Sequence, residues 1–224
     1  MTVANLVQYP GVDQELLNRA KLLQLADSAL PVGSLSHSFG LEALTEEHCL
    51  SVSQLHQYLS DSLAESLTLD AVYFRFAYTG QGFADLNRRY GALRLARESR
   101  EASAAMGRRL LRLVSQLDSS WLIEDEGFFP VAFGYVCGSL VLGEEAGLAA
   151  FLQQAIWNMI SSCQRLLRLG QVEAARLLWD AKPAILACVE RSSVLDLDTV
   201  TCFAPLPELA SMRHPRLHGR LFIS

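Results

Sequence analysis

Apolar residues return every three or four positions along almost every long stretch of this chain, and nowhere do they alternate steadily at two. That period is the strongest limit on the fold, because side chains three and four apart share one face of an α-helix whereas strands need a spacing of two. In DQELLNRAKLLQLADSAL, Leu16, Leu17, Ala20, Leu23, Ala26 and Ala29 follow it, with Asp13 placed as N-cap. LEALTEEHCL predicts a short helix. Ser51 and Gln54 fit a capping box that opens one long helical run through Tyr78, ended by Gly80 and Gly82. Residues 83–117 read as a helix with an arginine-rich face, in which Gly107 marks a close approach or a break. Pro130 suits the first turn of the next helix. Helices follow over VAFGYVCGSLVL, over EEAGLAAFLQQAIWNMISSCQRLLRL closed by Gly170, and over VEAARLLWDAKPAILACVER, which Pro183 would kink or split. The last stretch holds one short helix between prolines and then an irregular arm. No internal repeat or low-complexity linker interrupts the pattern.

The expected fold is therefore all-α, a single-domain helical bundle of about eight to ten helices. Its expected organisation is a flexible N-terminal arm over 1–12, a helical domain over 13–204, and a short helix with a C-terminal arm over 205–224.

With 224 residues, half of them apolar and 19% charged, the chain has material for a substantial core and does not have the composition of a disordered one. A net charge of −5 gives no general attraction to nucleic acid or to an anionic membrane. Its lysines are Lys21 and Lys182, so the positive charge is almost all arginine, which suits planar contacts with carboxylates and protein surfaces. Arg88, Arg89, Arg94, Arg97, Arg100, Arg108, Arg109 and Arg112 gather on one stretch, but Glu98 and Glu101 interrupt them and aromatic residues are sparse. A solvated or salt-bridged face is the expectation, with an acidic protein partner as the functional alternative. The opening MTVANLVQYPGVDQELL lacks the basic leader and apolar core of a secretory signal. From Gly127 to Gly143 there is no charge, yet the stretch is short for a bilayer and broken by glycines, so a buried helix is expected. Five cysteines are scattered without a CxxC pair, which points to reduced thiols and a cytoplasmic protein.

The segment ALPVGSLSHSFGLE crowds Ser34, Ser36 and Ser38 around His37, the composition of a nucleophilic site. A serine and a histidine adjacent in sequence point apart, however, and no G-x-S-x-G elbow is present. The plainer reading is a loop in which Gly33 supplies an unusual backbone angle and Ser36 or Ser38 caps the next helix. No phosphate-binding loop occurs. His214 and His218 are four apart, but Pro215 between them argues against the continuous helix that would align them as metal ligands. The final Leu221, Phe222 and Ile223 follow Arg213, Arg216 and Arg220. An apolar, arginine-flanked end must tuck into its own core or dock on another molecule, and docking is the expectation, since aromatic and arginine side chains are the usual anchors of interfaces.

LLQLADSALPVGSLSHSFGLEAL at 22–44 and LASMRHPRLHGRLFIS at 209–224 resemble the two most distinctive stretches of the UreF family of urease accessory proteins. REASAAMGRRLLRL, FPVAFG and LGQVEAARLL resemble family segments in the same order, so the likeness covers nearly the whole chain. The resemblance implies an all-α, homodimeric, non-enzymatic scaffold that binds UreD (also called UreH) and, through it, the GTPase UreG. Together these deliver nickel to apo-urease, with GTP hydrolysis belonging to UreG and a gating role for this protein. No cofactor is implied beyond nickel in transit, and no nucleic acid or membrane partner. Site residues carried over from the family are the loop Gly33, Ser34, Leu35, Ser36, His37 and Ser38, and the C-terminal arm with Arg213, His214, Leu217, Arg220, Leu221 and Phe222. The arm is the family's region for engaging UreD, and Arg220 matches an arginine linked to UreG recruitment. Leu35 stands where the family usually has Phe or Tyr, and His218-Gly219 where it usually has Tyr-Ser. A leucine fills part of an aromatic pocket, with about 1–2 kcal/mol less burial. Two alternatives remain: a nickel carrier using His37, His48, His214 or His218, and a hydrolase using the serine loop.

Overall fold

In the computed structural model, which describes residues 13–118 and 126–224, Asp13 caps the first helix as expected. Its carboxylate accepts from the Glu15 amide at 2.9 Å, and α1 runs Gln14–Leu25. The expected arm over 1–12 lies outside the described residues. The remaining helices are α2 Leu41–Glu46, α3 Leu55–Ala64, α4 Ser66–Tyr78, α5 Phe83–Leu93, α6 Arg97–Leu117, α7 Phe129–Ser139, α8 Glu144–Leu166, α9 Gln171–Asp180, α10 Lys182–Ser193 and α11 Pro205–Arg213. No strand occurs among the described residues, so the protein is all-α.

The core is built around α4 and α7. Helix α4 is buried on nearly all sides, from Leu67 to Phe74, and packs along α7 and against α10, α8 and α3. The uncharged stretch after Gly127 becomes α7, buried from Phe129 through Gly134 and again at Val136 and Cys137. Phe74, Phe129, Phe133 and Phe151 meet there with ring centroids 5.5–6.1 Å apart. Among the described residues no helix is long and apolar enough to cross a membrane. Gly107 marks a close approach and not a break: α6 continues through it, and a Cβ there would overlap the Gly127 carbonyl.

Two expected helices are divided. The run from Ser51 begins with the expected capping box and a 3₁₀ turn, Val52–Gln54, and is then interrupted at Glu65 (φ −113°, ψ −88°). Side chains take up carbonyls at the break: Thr68 Oγ1 donates to Leu63 O at 2.7 Å and Ser66 Oγ to Ser62 O at 3.3 Å. The run over 83–117 is interrupted at 94–96, where Arg94 turns inward to the Asp70 carboxylate and to Tyr90 Oη at 2.8 Å. The freed Ala96 amide donates to Glu208 Oε2 at 2.8 Å. Pro183 splits its stretch as expected, standing in the first turn of α10 after a break at Ala181. Gly170 does not close α8, which ends at Leu166, but stands at the start of α9.

The arginine-rich face is mostly salt-bridged. Arg88 pairs with Asp85, Arg97 with Glu101, Arg108 with Glu126 and Arg89 with Asp198, while Arg100 and Arg109 donate to backbone carbonyls.

Candidate partner-binding surface

The loop before α2 follows from its glycines. Gly33 takes a left-handed angle (φ 78°) and starts a 3₁₀ turn over Ser34–Ser36; His37 is extended; Gly40 (φ 89°) stands at the N-cap of α2. No serine side chain caps that helix, which corrects the expectation for Ser36 and Ser38. The turn is held from outside: Arg109 of α6 donates to Val32 O at 3.1 Å, and Arg165 of α8 donates to Leu35 O at 3.1 Å.

After α11 a 3₁₀ turn, His214–Arg216, sends the chain back across α2 to this loop. The Ile223 amide donates to Ser36 O at 2.9 Å and the Ser38 amide to Ser224 O at 2.5 Å. His37 Nδ1 and Ser224 Oγ lie 2.8 Å apart. Arg165 joins the two segments, reaching Leu221 O at 3.5 Å and lying 4.3 Å over the Phe222 ring. The two stretches singled out in the sequence are thus one surface. The tail neither hangs free nor is swallowed whole: Phe222 is 4% exposed, whereas Leu221 and Ile223 on either side are 62% and 65% exposed.

The individual residues divide accordingly. Leu35, Arg213, Arg220 and Leu221 are exposed, and Gly33, Ser36 and Leu217 are half-buried. Ser34, His37, Ser38, His214 and Phe222 face inward, so their side chains shape the surface and do not form it. His214 is among the most enclosed of these residues. It is fully enclosed, with Nε2 2.7 Å from Glu42 Oε2 and Nδ1 2.9 Å from Glu98 Oε2. Burial, and the nearby Arg109 guanidinium, hold His37 below the ordinary histidine range. Its ring pairs with Ser224 and with none of the three loop serines, and Ser34 Oγ and Ser38 Oγ have no hydrogen-bond partner among the described residues. The four histidines of the carrier alternative do not converge. His37 and His214 are engaged as above, His48 and His218 are exposed, and no three His, Cys, Asp or Glu side chains among the described residues are grouped to hold a metal ion.

Behind the loop lies a cavity of about 110 Å³ whose lining includes His37, Ser38, Asp70, Arg94, Asn158 and Ser211. His37 Nε2, Ser38 Oγ and Asn158 Oδ1 have no protein partner among the described residues.

Sequence reasoning missed Glu42, Glu98, Arg109 and Arg165. Glu42 reads as an ordinary first-turn acid of a short helix, and nothing local distinguishes it from Glu46 or Glu47. Only its 4% exposure does.

Fold and site together describe an all-helical protein in which a serine-rich loop and the C-terminal arm make one shaped face. The model of the UreF family matches residues 50–182. A urease accessory protein UreF of Arthrobacter sp. is 34% identical, over 91% of this chain and 96% of that one. Those of Paenarthrobacter aurescens and Haemophilus influenzae are 32% and 26% identical, over 91% and 95% of this chain and 96% and 98% of theirs. The chain belongs to the UreF family of urease accessory proteins.

Proposed function

We propose that this chain is a non-catalytic scaffold of urease maturation that, with UreD and the GTPase UreG, delivers nickel into apo-urease and modulates GTP hydrolysis by UreG. Nickel is cargo in this reading and the protein carries no resident cofactor. It works in the cytoplasm as a homodimer, and the loop–tail face receives the partners. The observation that carries the reading is the joining of Ser36 and Ser38 to Ile223 and Ser224 by backbone hydrogen bonds, with Leu35, Leu221 and Ile223 left exposed. Apolar side chains left exposed beside backbone that is hydrogen-bonded to the loop offer a contact area of the kind partners bury. Arg213 and Arg220 flank them and are also exposed, and arginine beside apolar anchors is the composition of interface hot spots.

The test is removal of residues 213–224. The shortened chain is expected to lose co-purification with UreD and UreG and to leave urease at its unactivated level. Full capture of both partners and normal urease activation by the shortened chain would overturn the assignment of the tail.

A further inference from the structure

The serine loop is flanked by arginines that have no carboxylate of their own. Arg109 of α6 and Arg165, in the last turn of α8, reach the loop from two helices and donate to Val32 O and Leu35 O, each at 3.1 Å. Arg112 stands one turn beyond Arg109 on the same face of α6. All three residues are exposed, and among the described residues none is paired with a carboxylate. The acids of these helices are engaged elsewhere or far away. Glu101 takes Arg97, Glu98 faces His214, and Glu126 takes Arg108. Glu144 and Glu145 open α8, about 30 Å along its axis from Arg165. Burial and, after it, the Arg109 charge hold His37 below its ordinary range, as expected beside a cation that no acid neutralises. In the middle of the turn, Leu35 is 40% exposed.

We propose that Leu35, framed by Arg109, Arg112 and Arg165, is a docking point for an acidic protein surface. On a chain of net charge −5, such a cationic rim draws in a partner's carboxylates at long range and speeds encounter more than it deepens affinity. A guanidinium carries five N–H donors, so an arginine that holds a loop carbonyl with one of them keeps others for a carboxylate. Leu35 supplies the apolar contact that the charges surround. Gly33 makes room for the arrangement: its left-handed turn sets Val32 O against Arg109, and a Cβ there would overlap Arg109 Nη1. Nucleic acid fits less well, because the chain as a whole is acidic. The proposal rests on the reading of the loop as a partner-facing surface and makes no use of the tail.

The test is the kinetics with which purified UreD and UreG bind the full-length chain, between about 0.1 and 1 M salt, over which the screening length falls from about 10 to 3 Å. Arg112→Glu is the most direct variant, because the Arg112 side chain makes no hydrogen bond or ion pair among the described residues. It is expected to slow association with at least one of the two partners by about tenfold at the lower salt, narrowing to within about twofold at the higher. Arg112→Gln, which only removes the charge, should fall between. Leu35→Ser is expected to quicken dissociation of the same partner by about tenfold and to leave the salt dependence as it was. Partners that bind the unaltered chain and are indifferent to both Arg112→Glu and Leu35→Ser would overturn the docking point alone. A defect of Arg112→Glu that persists undiminished at the higher salt would overturn it too, since charge would not be the cause. So would a duplex DNA probe held by the unaltered chain at the lower salt and released by Arg112→Glu, which would make nucleic acid the occupant. An unaltered chain that binds neither UreD nor UreG would overturn the partner role proposed above, and this docking point with it.

Discussion

His37 occupies surroundings that resist its charge. Buried, with Arg109 nearby, it is held below the ordinary value of 6.5. The unfolded chain therefore binds a proton that the folded one resists, so its contribution to stability is complete above the ordinary value and is lost as pH falls below it. Urea midpoints of the unaltered protein should drop more steeply between about pH 7 and pH 5 than those of His37→Gln, in which this titration is absent. Parallel curves would show that His37 does not contribute. Gly40 is constrained in another way. At φ 89° a side chain is strained, and a Cβ would stand 2.8 Å from Pro207 O and 3.0 Å from Ser211 N of α11. Neither atom is the yielding end of a side chain. Gly40→Ala is expected to cost about 2 kcal/mol or more in urea unfolding, from the left-handed backbone and the displaced helix together.

At the scale of elements, the breaks between helices carry as much information as the helices. The interruption between α5 and α6 exists because Arg94 leaves the helical path to meet Asp70 and Tyr90, whose hydroxyl donates to Asp70 Oδ1 at 2.8 Å. Side chains of Arg94 and Asp70 are 13% and 12% exposed, so removing one partner strands the other in a poor solvent. Arg94→Met is expected to lower unfolding free energy by about 3–5 kcal/mol, and adding Asp70→Asn should restore part of it. Denaturant unfolding of the two variants measures both effects. Additive losses would mean that the pair is not coupled. The same inward turn frees the Ala96 amide for Glu208, so α6, α11 and the tail beyond it share one dependence.

For the whole molecule, the thiols report how completely the bundle closes. Burial pushes Cys137 and Cys163 up to about 12, and Cys188 is raised as well, whereas Cys49 is exposed. The thiolate is the reactive form, so the buried three should be silent to a disulfide reagent at neutral pH until the protein unfolds. Labelling with and without denaturant checks this: Cys49 should react at once, and rapid native labelling of Cys137 or Cys163 would mean that the α4–α7 core opens readily.

Helix existence was legible in the residues because it depends on local spacing and caps. Asp13, the Ser51–Gln54 box, Pro130 and Pro183 act within one turn of themselves, and each acts where its spacing says. The loop and the tail could also be singled out, since their composition is unlike that of the helices around them. What only the tertiary structure decided depends on contacts between positions far apart in the chain. The breaks at Glu65 and Arg94, the meeting of His37 with Ser224 and the inward turn of His214 are of this kind. So is the selection of Glu42, among several neighbouring acids, to meet His214. A helical period fixes which face of a segment is apolar, but it carries no term for the partner opposite that face. The identity of that partner follows from how whole helices pack, and packing is a property of the folded chain.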